Sequence, residues 1–304
     1  MNHPLPVGSM LENYRIERQI SCGGFSIIYL AYDINEQPLA IKEHIPQTFA
    51  LRAAGETQLQ IPPKHQAEFQ RGLAYFFEEA RVLSGVNHTN VIRVLNFFRA
   101  NGTAYMVMPL EHGRTLQDHI RAQRGPISEA FVLNMFANLL DGMHEVHSCG
   151  LLHLDLKPAN IWLRCDQTPV VLDFGASRFA VDIGPPLPRA MYTPGFAAPE
   201  QYHGNYTLGP WTDIYAIGAC MYAALAKAAP PAADERLIDD QLHPARQRFS
   251  DLYSPRLLVA IDKCLHLAPA LRPQNARALQ ETLANAGSSG WTAWLRKLRH
   301  HLQR

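Results

Sequence analysis

The sequence predicts an α+β fold in two lobes, a small β-rich N-terminal lobe with one main helix and a larger α-helical C-terminal lobe. Three observations predict it. Over residues 14–108, short runs rich in β-branched and aromatic residues alternate with turn residues. A single 3.6-residue periodicity interrupts them at 64–84, and beyond Pro109 such periodicities dominate. A sheet-rich part followed by a helical one predicts a ligand-holding cleft, with the boundary at 109–113.

In chain order, the expected strands are 27–31, 39–42, 91–98 and 104–108. The intervening helix carries Phe69, Leu73, Phe76, Ala80 and Leu83 on one face, and Gly85 ends it. The 43–72 stretch before it is long, and Pro46, Pro62 and Pro63 read as an ordered excursion with a regulatory or a decorative role. The C-terminal part predicts helices at 115–123, 128–149 with Ser128 as cap, 211–229, 255–267 and 273–286, around a β- and loop-rich middle at 151–199. There is no internal repeat, and the low-complexity segments, 184–188 and 228–233, are short.

The length of 304 residues and 47% hydrophobic content allow a large core. The 28 basic and 27 acidic residues leave a charge of +1, which gives no global reason to bind nucleic acid. Cys22, Cys149, Cys165, Cys220 and Cys264 are odd in number and lack metal-ligand spacing, so they read as reduced thiols of a cytoplasmic chain. Residues 1–13 form an N-terminal extension without the basic and apolar regions of a secretion signal. The longest apolar run, 214–229, contains Gly218, ends at Pro230 and falls short of a bilayer span, so it reads as a buried core helix.

Four groups carry chemistry. The turn Ser21-Cys22-Gly23-Gly24-Phe25-Ser26 between two strands suits a phosphate-covering loop, and equally a tight hairpin that needs its glycines. Lys42 closes an apolar strand and needs an acid, a phosphate or solvent. Glu79, on the following helix, could reach back to it or lie on a solvated face. The fourth group is decisive: His153-Leu154-Asp155-Leu156-Lys157-Pro158-Ala159-Asn160, then an apolar strand and Asp173-Phe174-Gly175, an order that lets one cleft gather two carboxylates and an amide.

On these residues the chain resembles the serine/threonine protein kinase family over 14–286, with an N-lobe at 14–108 and a C-lobe at 109–286, so the bilobal protein-kinase fold is expected. Ala198-Pro199-Glu200, Thr212-Asp213 through Gly218, and Arg272-Pro273 are similar to further segments of that family. Lys42-Glu43-His44-Ile45-Pro46 and the run from Tyr192 to Tyr202 are similar to a bacterial branch of it.

The resemblance implies transfer of the γ-phosphoryl group of ATP to protein serine and threonine hydroxyls, with Mg²⁺, or Mn²⁺ in its place, and with ATP and a protein substrate as partners. Lys42, steered by Glu79, would hold the α- and β-phosphates beneath Ser21, Cys22, Gly23 and Gly24. Asp173 and Asn160 would ligate the metal, Asp155 would take the acceptor proton, and Lys157 would neutralise the moving phosphoryl. Thr193 would hydrogen-bond Asp155 and Lys157. Ile28 and Ala40 would lie above the adenine, Trp162 below it and Met108 behind it, with the backbone near Leu110 and Glu111 reading the base. Leu83, Val94, His153 and Phe174 would form a spine joining the lobes, anchored by Asp213, and Arg272 would pair with Glu200. Plain core packing is the other reading of each apolar position.

The sequence departs from the family in three places. Ser21 and Ser26 replace two loop glycines, which predicts weaker nucleotide binding. Leu154 replaces an arginine that would pair with a phosphorylated activation loop, so the 173–200 segment is expected to order without phosphate or through a partner. These departures keep a pseudokinase, a nucleotide- or partner-binding scaffold, as the alternative function. A small-molecule kinase is disfavoured by Phe174-Gly175 and Ala198-Pro199-Glu200. The 287–304 tail places Trp291, Trp294, Leu295, Leu298 and Leu302 on one helical face and Arg296, Lys297, Arg299 and Arg304 elsewhere. Peripheral docking of 288–304 at the inner membrane face or on a partner competes with packing on the large lobe.

Overall fold

The computed structural model describes residues 3–174, the backbone of 178–179, and residues 193–202 and 207–284. Gly175, Tyr192, the 184–188 segment, Asn285, Ala286 and the 287–304 tail lie outside the described residues. The chain divides after His112 into two compact units.

The first unit is a six-stranded sheet of β1 (Met10–Leu11), β2 (Tyr14–Cys22), β3 (Ser26–Tyr32), β4 (Pro38–His44), β5 (Asn96–Ala100) and β6 (Thr103–Pro109), in spatial order β1-β2-β3-β4-β6-β5. Every neighbouring pair is antiparallel. Helix α1 (Gln66–Gly85) completes it, buried through Phe69, Leu73, Phe76, Glu79, Ala80 and Leu83.

Register sorts this sheet into two faces, because directly paired residues of adjacent strands point the same way. Lys42 is opposite Ile28 and Met106, and Ala40 is opposite Leu30 and Met108, so these side chains share the face on which α1 packs. Glu43 is opposite Ile27 and Tyr105 on the other face, together with Tyr29 and Ile41. That second face is covered as well. The segment between β4 and α1 turns back over it, with Ile45, Ala50 and Arg52 buried, and Leu5 of the N-terminal extension joins them. Leu51 and Gln60 bridge the two arms of this excursion.

The second unit is mainly helical: α2 (Leu116–Ala122), α3 (Glu129–Ser148), α4 (Pro210–Ala226), α5 (Ala233–Ile238), α6 (Ala245–Arg248), α7 (Pro255–Cys264) and α8 (Ala276–Ala284). It also holds β7 (Gly113–Thr115), β9 (Ile161–Arg164) and β10 (Pro169–Val171) in one small sheet, and β8 (Leu151–Leu152) with β11 (Arg178–Phe179) in another. Helix α4 is buried all round and packs on α7, and α3 packs on α8. Gly113, at φ 153°, is needed where it stands: a Cβ there would lie 1.9 Å from the Leu163 carbonyl oxygen. Among the described residues, no helix is long and apolar enough to cross a membrane.

Several element expectations are corrected. The strand expected at 91–98 begins only at Asn96. Val91, Ile92 and Val94 are buried, but on backbone that turns at His88, so their hydrophobicity reports packing and not a ladder. The helix expected at 211–229 ends at Ala226, where Lys227 takes a left-handed conformation. The helix expected from 273 starts at Ala276, because the Asn275 side chain accepts from the Ala278 N–H and caps it. The helix expected at 255–267 stops at Cys264. Helices α5 and α6 are too short to show periodicity in the sequence.

Candidate active site

In the first unit, Lys42 Nζ lies 3.2 Å from Glu79 Oε1, both side chains being almost fully buried. The strand supplies the lysine and α1 the carboxylate, and Nζ also sits 5.6 Å from the centre of the Phe76 ring. Ile28 is half-buried, while Ala40 and Met108 lie in the ladder on the same face as Lys42. Leu110 and Glu111 follow β6 and are half-buried. The turn expected from Ser21 is shorter: Ser21 and Cys22 are the exposed last residues of β2, paired with Ile28 and Ile27, and Gly23 and Gly24 lie in the exposed turn to β3, which closes on a Gly23 N–H to Ser26 O hydrogen bond of 2.8 Å. Leu83 and Val94 are buried in this unit.

The second unit gathers the polar residues of the Asp155 loop. Asp155 Oδ2 accepts from Lys157 Nζ at 2.6 Å, and Oδ1 accepts from the Thr193 hydroxyl at 2.6 Å. Lys157 Nζ also donates to Thr193 Oγ1 at 3.0 Å. Asn160 Nδ2 donates to the Asp155 carbonyl at 2.9 Å and to Oδ2 at 3.3 Å, which leaves its amide oxygen as the acceptor end. Asp173 is exposed and takes a left-handed φ of 56°. His153 Nε2 donates to the Leu172 carbonyl at 2.9 Å, its Nδ1 accepts from the Asp155 N–H, and its ring is 4.6 Å from that of Phe174. Trp162 lies on β9 with its Nε1 buried and unpartnered.

This unit buries two carboxylates, and the first, Asp213, holds the Asp155 loop from behind. Asp213 accepts the backbone N–H groups of His153 and Leu154, each at 2.9 Å, and faces His147 Nε2 at 2.8 Å. Burial pushes the Asp213 carboxyl up, but the hydrogen bonds from His147 and from the His153 N–H and the electrostatic pull of the two imidazoles outweigh it, so the group rests below the usual carboxylate range. Glu200 takes a bidentate pair from Arg272 at 2.7 and 2.9 Å and a hydrogen bond from Thr212.

Sequence reasoning missed some of the polar framework. Gln201 donates from Nε2 to the Leu154 carbonyl at 2.8 Å and accepts the Ala198 N–H on Oε1 at 2.9 Å. Its sequence signal was its place in the Tyr192-to-Tyr202 run, which said nothing of its partners. In the first unit Glu43 is fully buried, ion-paired to Arg52, and accepts from the Tyr29 and Tyr105 hydroxyls. Burial and the Glu43 charge raise the pKa of both tyrosines, which therefore stay protonated donors.

The protein kinase domain profile matches residues 14–284. The serine/threonine-protein kinase pkn3 of Myxococcus xanthus is 29% identical over 89% of this chain and 49% of its own length. The serine/threonine-protein kinase PknJ of Mycobacterium tuberculosis is 28% identical over 96% of the chain and 49% of its own length. Serine/threonine-protein kinase D of Synechocystis is 28% identical over 92% of the chain and 54% of its own length. The chain thus spans about half the length of these curated relatives. Among solved structures, the apo form of PpkA-294 matches with a TM-score of 0.82 and 34% identity, covering 92% of this chain and 99% of that one.

Proposed function

The chain belongs to the protein kinase domain family, and from that premise we propose that it transfers the γ-phosphoryl group of Mg-ATP to serine and threonine hydroxyls of proteins. One observation carries this reading: the Asp155 carboxylate, held by Lys157, Thr193 and Asn160 within 3.3 Å. A carboxylate fixed by three donors, and only partly exposed, presents a defined oxygen to an acceptor hydroxyl instead of wandering in solvent.

In the reaction, the acceptor oxygen forms a bond to the γ-phosphorus, the bond from that phosphorus to the β-γ bridging oxygen breaks, and ADP leaves with the electron pair. The hydroxyl proton goes to Asp155. Lys157 neutralises charge on the moving group, and Lys42, kept in place by Glu79, holds the α- and β-phosphates. In this reading the Ser21-to-Gly24 segment covers the phosphates, the first unit offers Ile28, Ala40, Met108 and the backbone at Leu110 and Glu111 to the adenine, and the second unit offers Trp162. Among the described residues no group of three His, Cys, Asp or Glu side chains is arranged to hold a metal by itself. A magnesium ion, which accepts a few protein oxygens and keeps the rest of its shell as phosphate and water, suits the Asp173 carboxylate and the Asn160 amide oxygen and would supply charge neutralisation there. Manganese fits the same hard oxygens.

A cytoplasmic setting agrees with five cysteines that form no disulfide. The 288–304 tail supports peripheral docking on an anionic surface, and its removal is expected to abolish sedimentation with phosphatidylserine vesicles; unchanged sedimentation excludes that role. For the catalytic reading, transfer of ³²P from γ-labelled ATP to a generic basic protein compares wild type with Asp155→Asn. A loss of at least about a hundredfold is expected, the scale on which a positioned base contributes. Equal label from both proteins overturns the assignment.

A further inference from the structure

Leu154, immediately before Asp155, has a φ of 64°, a left-handed conformation that residues carrying a Cβ resist. Its side chain is buried with Leu152 and packs against Leu208. Both polar groups of its backbone are taken up by buried side chains: the N–H donates to Asp213 Oδ1, and the carbonyl accepts from Gln201 Nε2. Gln201 is 4% exposed and its other end accepts from Ala198, so one amide bridges the 198–201 turn and the peptide that precedes Asp155. The same segment reaches Asp155 a second time through the Thr193 hydroxyl.

We propose that Gln201 is a positioning residue for phosphoryl transfer: by holding the Leu154 carbonyl it fixes how Asp155 presents its carboxylate to the acceptor hydroxyl. The proposal rests on the kinase reading above. An amide suits the position because it offers a donor to one carbonyl and an acceptor to one N–H, and neither bond needs an added charge. A carboxylate at 201 keeps the acceptor for Ala198 but sets lone pairs against the Leu154 oxygen. The link is made by an unmodified side chain. It therefore does by a neutral contact what an arginine at position 154 would do only after a phosphate had been added.

The test compares Gln201→Glu, which when ionised trades the donor for a buried negative charge, with Gln201→Met, which keeps the volume and loses both bonds without adding charge. Steady-state transfer to a generic basic protein is expected to show kcat roughly ten- to a hundredfold lower for both, with KM for ATP within about twofold of wild type, as for a displaced catalytic group. Wild-type kcat in Gln201→Met overturns the proposal, and so does a matched loss of ATP affinity in both variants, which marks a general loosening of the fold. Hydrogen exchange of the 152–160 amides, measured on the nucleotide-free protein, gives an arm that needs no catalysis. Faster exchange confined to that stretch in Gln201→Met supports the proposal, and unchanged exchange overturns it. Failure of the kinase reading shows separately, as equal label transfer by Asp155→Asn and wild type.

Discussion

At the end of β4 the imidazole of His44 lies between Phe69 and Phe76, with ring centres 5.6 and 5.5 Å away, and its Nε2 has no hydrogen-bond partner. Burial, and then the nearby Lys42 charge, lower its pKa to about 4. The sign follows from proton counting: as pH falls below about 6.5 the unfolded chain binds a proton that the folded chain refuses, so stability is full above that pH and is lost progressively down to about 4. From about pH 7 to about pH 5 the loss from this group is on the order of 2 kcal/mol. Urea unfolding of wild type and His44→Phe at both pH values measures it, and an equal pH dependence in the two proteins removes the assignment. The neighbouring residue gives a second prediction. Arg52→Met leaves the fully buried Glu43 charge without its cation, and a loss of about 3–5 kcal/mol is expected in the same assay. Adding Glu43→Gln removes the stranded charge and should restore part of it. At this scale the pairing of Lys42 with Glu79 and the contact of Asn160 with Asp155 were legible, the first as one of two readings of a helix glutamate and the second from the spacing within one short loop. Arg52 and Gln201 were not, since each gains meaning only from a partner that the fold delivers from elsewhere in the chain.

The excursion between β4 and α1 shows the same division among elements. Its prolines marked it as ordered, yet nothing in the run of residues said what it would order. In the fold it straps the turn between β2 and β3: Ile45 N–H donates to the Phe25 carbonyl, Gln47 N–H to the Gly24 carbonyl, and the Gln47 side chain to the Gly23 carbonyl and Cys22 Sγ. Two serines stand where glycines would let that turn close on phosphates by itself, and the strap restrains the same residues from outside. Gln47→Met removes two partly solvated hydrogen bonds and leaves the backbone ones. The expected result is a rise of roughly fivefold in KM for ATP with little change in kcat, the two bonds together giving about 1 kcal/mol at the lower end of about 0.5–1.5 kcal/mol per bond. Unchanged KM would show that the backbone contacts suffice. Helix α4 gives a packing counterpart. A Cβ at Gly218 would meet Cys264 Cβ at 2.3 Å, so Gly218→Ala must push α4 from α7, and a cost of about 1–3 kcal/mol is expected in chemical denaturation. The apolar run through Ile214 announced a buried helix from sequence, but the close approach at its single glycine depends on a neighbour over forty residues away and could not be read there.

For the molecule as a whole, the question is whether it must be switched on. Among the described residues of the second unit, the polar contacts that set the Asp155 loop are made by groups of the unmodified chain: Asp213 to the His153 and Leu154 amides, Gln201 to the Leu154 carbonyl, and Thr193 and Lys157 to the carboxylate. Leu154 offers no cation that a phosphate could recruit, and its side chain is spent on packing. A kinase that waits for its own loop to be phosphorylated shows a lag, because product forms slowly until enough molecules have been modified. This chain should show none. Protein freed of phosphate by a phosphatase, and shown to be so by intact mass, is expected to give a linear progress curve from the first time point, with a slope within about twofold of protein preincubated with ATP, since Leu154 supplies no cation for a phosphate to pair with. A lag that preincubation with ATP abolishes would show that the buried contacts position the loop too weakly to act alone.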